Sequence, residues 1–187
     1  MKKVIFLLVA MVSVNMAFAQ TQVGEVTLPN SLNFSAQELV LNGAGIRKKA
    51  MMLKLYSGGL YLPTKSSDAK AIITSDDTMA IRLVITSSFV SSEAMSEAVK
   101  DGFEASTGDN TAPIADEIKS FVSFFSDEIV EGDVFDITNQ KGKGVVVYKN
   151  NTQLGVIKSA AFKKALFGIW LGNDPADSKL KKGMLGN

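Results

Sequence analysis

Arg47 is the side chain in this sequence with the most chemistry to offer, because the chain contains neither histidine nor cysteine. Those absences remove the Ser-His-Asp triad, the thiolate nucleophile, the zinc site of the usual ligands and any imidazole acid or base. Arg47 lies in the run Asn42-Gly43-Ala44-Gly45-Ile46-Arg47-Lys48-Lys49-Ala50, which leads into Lys54-Leu55-Tyr56-Ser57-Gly58-Gly59-Leu60-Tyr61-Leu62-Pro63. A guanidinium facing an apolar cleft presents a planar fork of donors that matches a carboxylate. A tyrosine hydroxyl such as that of Tyr56 adds one more hydrogen bond. On the residues alone, the simpler reading of Arg47 is a strand-end arginine paired with a surface acid.

The other polar clusters offer less. Gly142-Lys143-Gly144 precedes a strand pattern, whereas phosphate-binding glycine loops precede a helix, so it reads as a turn. Gly43-Ala44-Gly45 lacks a third glycine and a following Gly-Lys-Ser/Thr, which speaks against a nucleotide loop. Asp76-Asp77 and the Asp174…Asp177 pair lack calcium-loop spacing and read as a turn and a helix start. The lysines at 163–164 and at 179, 181 and 182 read as solvated helix faces. No cofactor and no metal is implied.

The N-terminus carries an export pattern. Lys2 and Lys3 precede an apolar run over residues 4–14 and then Ala17-Phe18-Ala19, the form of a cleavable signal peptide over residues 1–19. The run is shorter than the roughly 20 residues of a spanning helix, and there is no cysteine for lipid attachment. The expected product is one domain over residues 20–187, periplasmic, with no stable membrane anchor after cleavage. The whole chain has 20 Lys+Arg and 19 Asp+Glu; losing Lys2 and Lys3 leaves a balance of −1. A near-neutral protein gives no electrostatic reason to expect nucleic acid as partner.

Elements that could position Arg47 and Tyr56 follow from pattern. Residues 20–33 read as a strand and turn, and 39–41, 50–62 and 79–86 as strands. Within 50–62, alternation places Met51, Leu53, Leu55 and Ser57 on one face, with Met52, Lys54 and Tyr56 on the other. Ser91 and Ser92 are N-cap candidates for a helix whose apolar stripe is Met95, Val99 and Phe103. Pro113 opens a second helix carrying Ile114, Ile118, Phe121, Val122 and Phe125 on one face. Residues 134–138, 145–148 and 153–157 read as a meander, Ser159 caps a third helix with Phe162, Ala165, Leu166, Ile169 and Trp170 on its face, and Pro175 starts a short terminal one. This order fits an α+β fold: an antiparallel sheet with its helices gathered on one face.

Four segments together resemble the chalcone isomerase-like family: the Asn42–Pro63 stretch, Ile81-Arg82-Leu83-Val84-Ile85, Phe124-Phe125 with Gly132-Asp133, and the stretch from Phe162 through Trp170-Leu171-Gly172 and Asp174-Pro175 to Leu185-Gly186. The resemblance implies an open-faced β-sandwich with a ligand cleft between a large antiparallel sheet and a helical layer. The family includes true isomerases, non-catalytic relatives and fatty-acid binders, so the fold does not settle the activity. It implies for Arg47 either enolate stabilisation or, with Tyr56, a grip on a carboxylate. The rest of the isomerase machinery is absent in an ungapped alignment: Ala94, Glu97, Asp101 and Ile169 stand where the enzymes carry tyrosine, lysine, asparagine and threonine or serine. Tyr56 itself stands where they have threonine.

The leading expectation is therefore a non-catalytic binder of a fatty acid or similar apolar carboxylate. Arg47 and Tyr56 would hold the head group, and Met51, Leu53, Met95, Val99, Phe103, Phe121 and Phe125 would form walls. The alternatives are an isomerase or intramolecular lyase acting on an enone through Arg47, with Tyr56, Glu97 or Asp101 as proton-transfer groups, and an envelope protein-interaction module.

Overall fold

The computed structural model describes residues 20–50 and 52–187, so the export segment expected over 1–19 and the wall residue Met51 lie outside the described residues. Its centre is a seven-stranded sheet with strands in simple sequence order. These are β3 (Ser31–Phe34), β4 (Gln37–Lys49), β5 (Leu53–Leu62), β6 (Met79–Ile85), β7 (Val134–Gln140), β8 (Gly144–Lys149) and β9 (Thr152–Ile157). All pair antiparallel. A separate hairpin, β1 (Gln20–Val23) with β2 (Val26–Pro29), covers part of one face. β3 and β8 are five strand spacings apart, about 24 Å in a flat sheet. Yet the Phe34 and Tyr148 rings stand 5.7 Å apart, so the sheet curls into a half-barrel.

The helices start where the sequence offers caps. α2 (Ser92–Thr107) is capped by Ser91, whose hydroxyl accepts from the Ala94 N–H, and ends at Gly108 with φ 62°. A 3₁₀ turn (Ala112–Ile114) with Pro113 near its start leads into α3 (Ala115–Ser123). α4 (Ala160–Leu171) is capped by Ser159, and α5 (Ser178–Met184) by Asp177. A further helix, α1 (Ala69–Thr74), capped by Asp68, was not expected from the pattern. Six residues are too few for apolar periodicity to show.

Lys163 also departs from its expected solvated position. It is 6% exposed, and its ammonium donates to the Ile72, Ile73 and Ser75 carbonyls at 3.1, 2.9 and 2.6 Å. It thereby satisfies the carbonyls that the end of α1 leaves unpaired. Burial pushes its pKa down to about 8, against the opposing pull of Asp76 and Asp77.

The helical layer packs on one face of the sheet around an aromatic cluster. Phe103 of α2, Phe121 of α3 and Phe162 of α4 meet with centroids 5.2 to 6.0 Å apart. Small residues let α2 and α4 approach: a Cβ on Gly102 would stand 2.8 Å from Ile169, and one on Gly168 would stand 3.1 Å from Ser106. The opposite face buries Leu39, Leu41, Tyr61 and Ala80. There the β1–β2 hairpin is tied down by Tyr61, whose hydroxyl donates to the Pro29 carbonyl at 2.9 Å, and by Ser57, which donates to Val23 at 3.0 Å.

Candidate functional site

The glycine-rich run, which fell outside the strands expected at 39–41 and 50–62, lies inside β4 and forms the bed of a helix. Gly43 and Gly45 face the helical layer, and α5 lies across them. A Cβ on Gly43 would come within 2.1 Å of the Gly183 carbonyl oxygen, and one on Gly45 within 3.3 Å of the Leu180 Cα. From the other side, a Cβ on Gly183 would stand 2.3 Å from the Ala44 oxygen. Backbone rests on backbone here, which only glycine permits. Asn42 is skipped in the β4–β5 pairing, and its side chain fastens the end of α5 by donating to the Met184 carbonyl at 2.8 Å.

Arg47 is the next residue in the row Gly43, Gly45, Arg47, so it meets the N-terminus of α5. Its guanidinium stands 3.7 Å from the Asp177 carboxylate, and its Nη1 donates to the Lys48 carbonyl at 2.9 Å. Asp177 accepts three backbone N–H groups: Lys179 at 2.8 Å and Leu180 at 3.0 Å on one oxygen, Lys48 at 3.1 Å on the other. Burial opposes its charge, but these donors and Arg47 outweigh it and hold the carboxyl below its ordinary range. The simple sequence reading of an arginine paired with an acid is thus present, although the acid is only 13% exposed.

Tyr56 is the direct cross-strand partner of Arg47, and directly opposed residues share a face. The pairing skips Leu55, so Leu55 and Tyr56 both lie opposite Arg47, and Leu55 packs on the same core as Tyr56. That bulge corrects the simple alternation expected for this strand, because an inserted residue shifts the face of everything beyond it. The Tyr56 hydroxyl accepts from the Trp170 indole N–H of α4 at 3.0 Å. Its own proton remains available for donation. Burial pushes the Tyr56 pKa above its ordinary value; the Trp170 bond and Arg47 oppose the rise, and Asp177 adds to it. The result is a protonated donor next to a permanent cation.

Five of the expected wall residues occupy one contiguous core with Tyr56, which Leu53 does not join. Met95, Val99, Phe103, Phe121 and Phe125 are all buried there, and Leu53 is half-buried at the start of β5. A cavity of about 370 Å³ between α2 and α3 is lined by Phe103, Ile118 and Val122 among others. A second, of about 540 Å³, lies between the end of α1, the β7–β8 turn and the start of α4. Arg47 and Tyr56 line neither. Glu97 and Asp101 lie on the exposed side of α2, opposite the buried Met95, Val99 and Phe103, so they are not brought to Arg47.

Trp170 and Asp177 belong to the site, yet the sequence marked them only as part of a helix face and a helix start. Their site role depends on contacts across 114 and about 130 residues of chain, which no local pattern carries. Thr86, one residue beyond the Tyr56 partner Ile85, has a buried hydroxyl oxygen without a hydrogen-bond partner. Its backbone N–H is held by the bulged Leu55 at 3.0 Å.

The sequence profile of one family, described as chalcone isomerase-like, matches residues 20–186. Fatty-acid-binding protein 1 of Arabidopsis thaliana is 24% identical over 177 residues, covering 79% of this chain and 63% of that protein. The chain therefore spans less than two thirds of that relative's length. The crystal structure of an Arabidopsis thaliana fatty-acid binding protein superposes with a TM-score of 0.68 at 21% identity, covering 86% of this chain and 91% of the other. At that identity the likeness establishes the fold: a curled antiparallel sheet with helices on one face.

Proposed function

The chain belongs to the chalcone isomerase-like family, and we propose that it binds a fatty acid or similar apolar carboxylate without catalysing an isomerisation. The observation that carries this reading is the Arg47–Tyr56 cross-strand pair, a guanidinium and a protonated hydroxyl side by side at the edge of an apolar layer. Arg47 would present its fork to the carboxylate and Tyr56 would donate its proton, while Trp170 fixes the hydroxyl from behind. The acyl chain would pass between sheet and helices among Leu53, Met95, Val99, Phe103, Phe121 and Phe125. The methionine makes that wall adaptable. The Arabidopsis relative and the solved structure carry the name of one fatty-acid-binding protein, which supports the same ligand class.

The isomerase alternative has less support. An enone cyclisation or enolisation needs a proton-transfer group at the reacting atoms, and Glu97 and Asp101 face solvent. Of the three proton-transfer groups expected, only Tyr56 lies beside Arg47, and its raised pKa keeps it protonated; the neighbouring Asp177 carboxylate is already committed to three backbone N–H groups. The proposed setting is the periplasm, supported by the basic, apolar and Ala-x-Ala sequence of residues 1–19. Among the described residues, no helix is long and apolar enough to cross a membrane.

The test is extraction and mass analysis of lipids that co-purify with the wild type and with Arg47→Ala. Removing one partner of a hydrogen-bonded charge pair costs about 2 kcal/mol or more. The wild type should therefore yield a fatty carboxylate, with at least about tenfold less in the folded variant. A folded wild type that stays empty when fatty acids are supplied would defeat the proposal.

A further inference from the structure

Asp177 sets a condition on whatever anion approaches Arg47. Its carboxylate is committed to three backbone N–H groups, one from β4 and two from α5, so it stays in place when Arg47 moves. The Gly43–Gly183 backbone contact fixes α5 itself. At 3.7 Å the pair with Arg47 is an ion pair outside hydrogen-bond range, and the one hydrogen bond the guanidinium donates among the described residues goes to the Lys48 carbonyl. A guanidinium has five N–H donors. Asp177 thus neutralises the charge of Arg47 while leaving most of its donors uncommitted. The next cations along the strand, Lys48 and Lys49, have exposed side chains in solvent, where their charge is screened.

We infer that Asp177 is a specificity-determining residue that makes the Arg47 site accept a monoanionic carboxylate head group and reject a dianionic phosphate monoester of the same chain length. This rests on the carboxylate-binding reading above. A fixed negative charge repels an incoming anion in proportion to that anion's charge. The donor fork suits both head groups, so hydrogen-bond geometry alone would not separate them. Asp177 separates them by charge. It also weakens the grip on the carboxylate, which favours release over tight retention.

The test is calorimetric titration of the wild type, Asp177→Asn and Asp177→Ser with dodecanoate, dodecyl phosphate and 1-dodecanol at about pH 8, where the phosphate is close to dianionic. Both replacements keep a side-chain oxygen that can cap α5, and the serine places no donor against the Lys48 N–H. Thermal melting confirms that each is folded. Losing the charge should tighten dodecanoate binding on the order of tenfold and dodecyl phosphate binding on the order of a hundredfold. Binding of 1-dodecanol should change less than about twofold, since it carries no charge. If the wild type binds dodecanoate but both folded variants leave the phosphate-to-carboxylate ratio unchanged, this inference falls and the carrier reading stands. If the wild type binds no dodecanoate, both fall.

Discussion

Gly43→Ala is expected to cost about 3 kcal/mol or more, since overpacking against a backbone atom cannot be relieved by a rotamer change. The added methyl would stand 2.1 Å from the Gly183 carbonyl oxygen and 2.9 Å from the Gly186 nitrogen. Either α5 lifts from β4 or the strand bends. In both cases Asp177 leaves the Lys48 N–H, so ligand binding should change along with the melting temperature. Gly108→Ala is the matched control. Its added Cβ meets nothing within 4 Å, but its φ of 62° carries a backbone cost of about 1 kcal/mol. Denaturant titration of the two variants separates loss of the α5 bed from the general cost of replacing a glycine. Equal losses would show that the close contact does not govern stability.

The second large effect lies on the opposite face of the sheet. Arg82 of β6 donates twice to Asp136 of β7, at 2.7 and 2.8 Å, with Asp136 only 3% exposed at its side chain. Asp136→Ala leaves a largely buried guanidinium without its partner, and breaking such a pair costs about 3 to 5 kcal/mol. Replacing both residues, as in Arg82→Met with Asp136→Leu, should recover most of that loss, because the desolvation penalty disappears with the charges. Chemical denaturation of the single and double variants checks both values. The pair lies on the face of β6 and β7 opposite the helical layer, so ligand capture by the double variant should match the wild type.

The strands and helix caps were legible because they rest on local chemistry. Ser91 and Ser159 each precede an apolar stripe and cap the helix expected of them, and the three-strand meander at 134–157 follows its turn residues. The Arg47–Tyr56 pair was partly legible, since an arginine and a tyrosine flanking one hairpin must run alongside each other. Its register was not, because the skipped Leu55 has no signature in an apolar strand. The glycines at 43 and 45 were left outside the expected strands, since composition cannot reveal that a helix about 140 residues later rests on them. Lys163 failed for the same reason: its three carbonyl acceptors lie at the C-terminal end of a helix about 90 residues away. Long-range contacts fixed what local pattern left open.

The most direct test of the head-group site is a crystal structure of the protein loaded with a long-chain fatty acid brominated at its methyl end, the bromine located by anomalous scattering. The carboxylate should lie within hydrogen-bond distance of the Arg47 guanidinium and the Tyr56 hydroxyl. The bromine should lie between sheet and helices, near Met95, Val99 or Phe103. A carboxylate held instead in the lysine-lined cavity beside Lys158 and Lys164, with Arg47 still turned to Asp177, would contradict it.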